Sequence, residues 1–156
     1  MIKLPKVERR KFERYETTTK IRFHIKYSLK TRVSFELLKD KDSQVKKYQG
    51  VTRNISVEGL GFSSHKKLNG GDKLYLELYL PHQEEPICMT GEVRWCRKLS
   101  AVANYDTGVR LKTINHSVVS RTIHFDKKYG VYWSAVLESV FGNFKKLIKE
   151  GKEDLT

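Results

Sequence analysis

The sequence predicts a mainly β chain, six short strands folded as a small antiparallel barrel or sandwich, with an amphipathic helix at the C-terminal end. Three observations predict it. Between Thr19 and Leu111, apolar and polar residues alternate in six stretches, the period-2 signature of strands buried on one face. Turn signals rich in Gly, Asn and Pro separate these stretches at short intervals, a spacing that suits antiparallel strands. Beyond Trp133 the apolar spacing changes to i, i+3, i+4, the period of a helix.

The first strand begins at Thr19, with Ile21, Phe23, Ile25 and Tyr27 on one face and Lys20, Arg22, His24 and Lys26 on the other. Its outer face is strongly basic. Ser28 to Lys47 is polar and charged apart from Phe35-Glu36-Leu37-Leu38, and reads as a long hairpin connection with strand extensions. Tyr48 to Ile55 and Leu60 to Ser63 are the second and third strands, with Asn54–Gly59 as the turn between them. Asn69-Gly70-Gly71-Asp72 is a further turn signal, and after it Leu74, Leu76, Leu78 and Leu80 alternate with Tyr75, Glu77 and Tyr79. Pro81 helps to end that strand, because proline supplies no ladder donor, and Pro81 to Pro86 is a loop. Ile87, Met89, Val93 and Trp95 share one face of the fifth strand, opposite Thr90, Glu92, Arg94 and Cys96, and a sixth strand runs near Thr107–Leu111.

The tail is read as helical. Asn115 or Ser117 would cap a short helix toward Lys127, and Trp133, Val136, Leu137, Val140, Phe141, Phe144, Leu147 and Ile148 form the stripe of a longer one. Lys145, Lys146 and Lys149 suit the negative end of its dipole, and Gly151 ends it. The chain then divides into a barrel over residues 1–115 and a helical extension over 116–156, packed on or beside the barrel.

Composition narrows the function. A chain of 156 residues with 38% hydrophobic content buries a real core and is not a disordered chain. No apolar run approaches the ~20 residues of a membrane span, and Met1–Glu8 has no signal-peptide core. Cys88 and Cys96 lie eight apart on outward positions of one strand, about 26 Å along it, too far to bridge. These features predict a reduced, cytoplasmic protein. The net charge of +13 calls for an anionic partner or serves solubility, and its spread along the chain does not choose among nucleic acid, lipid, acidic protein and phosphorylated ligand. The five histidines show no metal-ligand spacing, and no P-loop, Rossmann or G-x-S-x-G motif is present. No catalytic residue, metal or cofactor is expected; the chain reads as a binding protein, not an enzyme.

Two motifs carry the chemistry. Arg9-Arg10-Lys11-Phe12-Glu13-Arg14 clusters guanidinium groups just before the first strand. Arginine forks match phosphate oxygens and the O6/N7 edge of guanine. Asn54-Ile55-Ser56-Val57-Glu58-Gly59 offers short polar side chains and a backbone that a ligand can approach. Together they predict a site for a small anionic nucleotide. Each has a plainer reading alone, as a solvated basic segment or as hairpin residues.

In order and spacing, Arg10-x-x-x-Arg14 followed by Asn54-x-Ser56-x-x-Gly59 resembles the PilZ domain family over roughly Arg9 to Lys112. That resemblance implies a six-stranded PilZ-type β-barrel, a closing C-terminal helix, and a bacterial signalling role as a receptor for the second messenger bis-(3′,5′)-cyclic dimeric GMP (cyclic di-GMP). It implies Arg9, Arg10, Arg14, Asn54, Ser56 and Gly59 as ligand-binding residues. Arg9, directly before the first motif, is linked at family level with a stacked ligand dimer. Asn54 stands where many relatives have Asp, which would lower affinity for a guanine N1–H/N2–H₂ pair. The implied output is ordering of Val7–Tyr15 over the ligand and a change in protein contacts through that segment or the C-terminal helix. Two further readings stand beside it: a ligand-independent adaptor in motility or surface assembly, and a small barrel binding single-stranded nucleic acid. An anionic membrane surface beside the helix lysines ranks lower.

Overall fold

The computed structural model describes residues 12–28, 33–34, 46–81, 83–99 and 104–142. In chain order the strands are β1 (Tyr15–Glu16), β2 (Lys20–Ser28), β3 (Val33–Ser34), β4 (Tyr48–Ile55), β5 (Gly59–Ser64) and β6 (Lys73–Tyr79). Next come β7 (Ile87–Lys98), β8 (Tyr105–Ile114), β9 (Ser117–Val118), a 3₁₀ turn (Val119–Arg121), β10 (His124–Asp126), β11 (Val131–Trp133) and helix α1 (Ala135–Phe141).

The six alternating stretches become β2, β4, β5, β6, β7 and β8, and they close as a barrel. The ring runs β2–β4–β5–β8–β7–β6 and returns to β2, with every pair antiparallel. Closure falls to β2, which pairs Lys20–Phe23 with β4 on one edge and Lys20–Tyr27 with β6 on the other. Closing the ring removes the open strand edges that a flat sheet would expose. The inward residues are those the alternation marks: Ile21, Leu74 and Leu78 are fully buried, with Phe23, Phe62, Met89 and Val93 nearly so. The turn before β6 is built by Asp72, whose carboxylate accepts the Asn69 N–H at 3.0 Å, and by Gly71 at φ 94°.

Register shifts interrupt the ladders at Ile25/Tyr27, Thr52/Asn54, Thr90/Gly91 and Val93/Trp95, and the bulges at Thr52/Asn54 on β4 and Val93/Trp95 on β7 re-aim side chains that matter below. A bulge adds one residue to one strand and re-aims the side chains beyond it. After Val93 points inward, the bulge turns Trp95 away from the core, and Cys96 packs partly against it. The expected parity of Trp95 and Cys96 is therefore reversed. Cys96 Sγ accepts from the Leu68 N–H and the Thr107 hydroxyl, and both cysteines are free thiols.

The tail departs further from expectation. Asn115 (φ 46°) and His116 (φ 69°) form a tight left-handed turn into β9, which pairs back on β8, so no helix starts there. A two-residue hairpin turn needs positive φ at both positions, and Asn tolerates it well. Trp133 lies in β11, paired with His124, and not on the helix. Helix α1 begins one residue after Ser134, whose hydroxyl accepts the Val136 N–H, and Gly142 closes it at φ 49°. Phe144, Leu147, Ile148, the three lysines beside them and Gly151 lie outside the described residues, as does most of the 28–47 connection. Trp133, Val136 and Leu137 join the barrel's buried cluster, so the described part of the tail packs on the barrel. No described helix is long and apolar enough to cross a membrane.

Ser134 joins tail to barrel. Its Oγ donates to the carbonyl of buried Val57 at 2.7 Å and caps α1 through Val136 at 3.2 Å. Ser134→Ala removes the cap and strands a buried acceptor, and is expected to cost about 2 kcal/mol. Urea unfolding of the two proteins measures that loss as a fall in midpoint at constant slope.

Candidate functional site

Residues 15–23 lie antiparallel along one edge of β4 in two steps. Tyr15 and Glu16 pair with Ile55 and Asn54, and Lys20–Phe23 pair with Val51–Tyr48. Between them the chain steps across Thr52, whose buried hydroxyl accepts from the Thr17 hydroxyl and the Thr19 N–H, each at 2.9 Å. This ladder sets Arg14 beside the end of β4, where the second motif lies. Phe12 anchors the segment from the other side by meeting Tyr132 edge to face at 4.9 Å. Tyr15 lies against Phe141 at 6.2 Å, and its phenol is pushed up to about 12, by burial first and then by the Glu13 carboxylate. Tyr15 therefore stays neutral at physiological pH.

Asn54 sits within β4, not in the turn. The bulge after Thr52 lets Arg53 and Asn54 both point outward, while Thr52 and Ile55 stay buried. Arg53 is taken up by Asp106, which accepts from its Nη1 at 3.4 Å and from Ser63 Oγ at 2.7 Å. Ser56 closes the turn: its N–H donates to the Gly59 carbonyl at 2.8 Å, and its Oγ accepts the Gly59 N–H at 3.1 Å. Its own hydroxyl proton has only a long contact to the Gly59 carbonyl, 3.4 Å. Val57 is driven into the core, which pins the turn from below.

Arg14, Asn54, Ser56 and Gly59 all line one cleft on the outer wall of β4, β5, β8 and β7, with a volume of about 350 Å³. It runs into a second lobe of about 780 Å³ that shares Arg14, Asn54, Gly61 and Trp95. Both lobes fall in the size range of small-ligand pockets. Arg9 and Arg10 lie outside the described residues. Glycine makes the floor: Gly61 and Gly108 are register partners on β5 and β8, so two adjacent outward positions carry no side chain. The Trp95 indole lies over Gly108, and the Arg97 guanidinium sits 5.0 Å from the indole centre.

The cleft also draws in residues that the sequence pattern does not assign to it, chiefly Arg94, Trp95 and Arg110, with Arg97 in the larger lobe. Arg110 stands on β8 two places beyond Gly108, on the outward face. Trp95 owes its position to the bulge, which a period-2 pattern does not show, whereas Arg94 keeps the outward side that alternation gives it. Rim arginines over a glycine floor, with an indole at one side, can hold an anion that also has a flat ring. Among the described residues, no cluster of His, Cys, Asp or Glu could hold a metal ion.

The described strands thus form a closed six-stranded barrel with a basic, glycine-floored cleft on its wall. The chain belongs to the PilZ domain family, whose model matches residues 8–124. Members of that family are non-enzymatic and typically cyclic di-GMP receptors. Among solved structures, the chain is similar to the Bacillus subtilis inhibitor of motility, MotI/DgrA, at 15% identity and a TM-score of 0.49. The match takes in 70% of this chain and 46% of that one, so the chain spans less than half the length of that structure. No curated protein matches the chain.

A methyl group at Gly108 would overlap the Trp95 ring. Gly108→Ala is therefore expected to leave the barrel folded, as judged by far-UV circular dichroism, while lifting Trp95 into solvent. Red-shifted tryptophan emission reports the change, since the other tryptophan, Trp133, is buried away from the cleft.

Proposed function

We propose that this chain is a receptor for cyclic di-GMP, held in the cleft between Arg14 and the β4–β5–β8–β7 wall. The observation that supports it most is that Arg14 of one motif and Asn54, Ser56 and Gly59 of the other line the same cleft, although about forty residues separate them in sequence.

The ligand brings two phosphates and two guanines. Arg14, Arg94 and Arg110 give the rim a positive potential before any ligand arrives, so little reorganisation is needed on binding. A guanidinium fork can take two phosphate oxygens or the O6/N7 pair of a guanine, whereas lysine offers only a point charge. Asn54 supplies a donor and an acceptor at a base edge. The Ser56 proton can leave its long contact with the Gly59 carbonyl and donate to phosphate. Trp95, with the Arg97 guanidinium over its ring, adds an aromatic edge and a further cation beside the cleft. Arg9 and Arg10 add two further forks from the same segment, and the larger lobe leaves room for a second, stacked ligand molecule. The Phe12–Tyr132 contact and the Val57–Ser134 bond carry the output, because they tie both halves of the site to the C-terminal elements. A ligand that holds Arg14 biases those contacts by its differential affinity for the two arrangements.

Calorimetric titration of cyclic di-GMP into the purified chain is expected to show saturable binding. Arg14→Ala should weaken it about tenfold or more, the loss of a charge-assisted hydrogen bond. Arg14→Lys should recover little of this, because it restores the charge without the fork. Asn54→Asp should tighten binding by adding charge opposite a guanine N1–H/N2–H₂ pair. No heat from a folded wild-type chain would contradict the reading and favour a ligand-independent adaptor.

A further inference from the structure

We propose that the barrel wall opposite the cleft, formed by the outward faces of β2 and β6, is a docking surface for an acidic segment of a partner protein. In the ring order, β6 lies three places from β5, and β2 lies three places from β8. The two walls therefore face away from each other, and a partner on one leaves the other open.

The β2–β6 wall is basic, with a register shift at Lys26 near the end of β2. Lys20, Arg22 and Lys26 alternate along β2, and Lys73 stands at the start of β6. The carboxylate that β6 presents to this row, Glu77, is taken up by Lys47 at 3.5 Å. Tyrosines hold the cations in place: Lys20 lies 5.6 Å from the Tyr79 ring centre and Lys26 lies 5.1 Å from that of Tyr75. Ordering long side chains in advance lowers the entropy lost when a partner binds. Arg22 is held with unmet donors: its Nε is enclosed with no acceptor, and its Nη1 reaches only Tyr79 Oη at 3.5 Å. An incoming carboxylate would meet the guanidinium end of Arg22, not its enclosed Nε.

The same details select a protein over other anions. Nucleic-acid platforms need open aromatic faces for bases, but the Tyr75 ring is covered by Lys26 and by His24, 4.8 Å away. Glu77 and Glu92, the latter in register with Lys73, interrupt the positive row and would repel a continuous phosphate chain. A lipid surface would call for apolar insertion, and the described residues put one exposed large apolar side chain there, Val51 beside Lys20. Outward residues on a strand repeat every ~6.7 Å. That matches carboxylates one helical turn apart, ~6 Å, with uncharged residues between them.

The test is fluorescence anisotropy with a labelled helical peptide bearing glutamate at every fourth position, in about 150 mM salt so that distant charges are screened. Lys20→Glu/Lys26→Glu/Lys73→Glu is expected to weaken binding by about tenfold or more. The charge-matched control Lys67→Glu/Lys127→Glu/Lys128→Glu, on exposed residues elsewhere, should stay within about twofold. Arg14→Ala should leave the peptide unaffected, which separates this surface from the cleft and its proposed ligand. Equal loss in both triple variants, or no binding by the wild-type chain, overturns the proposal. So does tighter, wall-dependent binding of a single-stranded oligonucleotide or a phosphatidylserine vesicle. If the glutamate variant unfolds, Lys20→Gln/Lys73→Gln replaces it under the same criteria.

Discussion

The structure depends on β2 pairing with two neighbours at once. Through residues 20–23 its backbone groups are shared between β4 and β6, and the six strands become a ring with no open side. Antiparallel pairing alone would leave a sheet with two edges and one solvated face. The closed ring encloses the Leu74, Leu76 and Leu78 row against Ile21 and Phe23. It also fixes which walls lie opposite one another. The cleft and the basic wall both rest on that geometry.

A ring this small must bend its strands sharply, and bulges are the usual means. Here both bulges that flank the cleft add an arginine, Arg53 on β4 and Arg94 on β7. One bulge frees Asn54 to face outward and the other frees Trp95. Curvature and cleft thus have one cause. Gly61 and Gly108 complete it: without side chains there, the Asn54 amide lies against one and the Trp95 indole against the other. The proposed binding chemistry occupies the wall that holds both of these bulges, while the β2–β6 wall has its own register shift, at Lys26.

Much of this was legible in the sequence. The six strands, their inward residues and the Asn69–Asp72 turn come from a strict period of two, which local sequence expresses directly. The pairing of the two motifs was legible as a resemblance, and Arg14 and Asn54 lie on one cleft because β1 pairs with β4. What sequence did not express are features set by the ring as a whole. Trp95 keeps an inward parity on paper and loses it to a bulge opposite Gly108. Arg110 carries no local sign that it shares a rim with Arg94. Asn115 and Ser117 have the composition of a helix cap, yet positive φ at Asn115 and His116 makes a hairpin turn and Ser117 joins β9 against β8. Trp133 fits a helical stripe by spacing, but tertiary pairing with β10 takes it into a strand.

The two basic walls differ in kind: one carries glycine and indole, the other tyrosine. The proposed seat of the nucleotide is the glycine-floored wall. Amide chemical-shift mapping during titration with cyclic di-GMP tests it most directly. The largest shifts are expected on Asn54, Gly59, Gly61 and Gly108 and on the Trp95 indole N–H, with β2 and β6 unmoved. Shifts centred on the β2–β6 wall, or none on the glycine floor at saturating ligand, would contradict it.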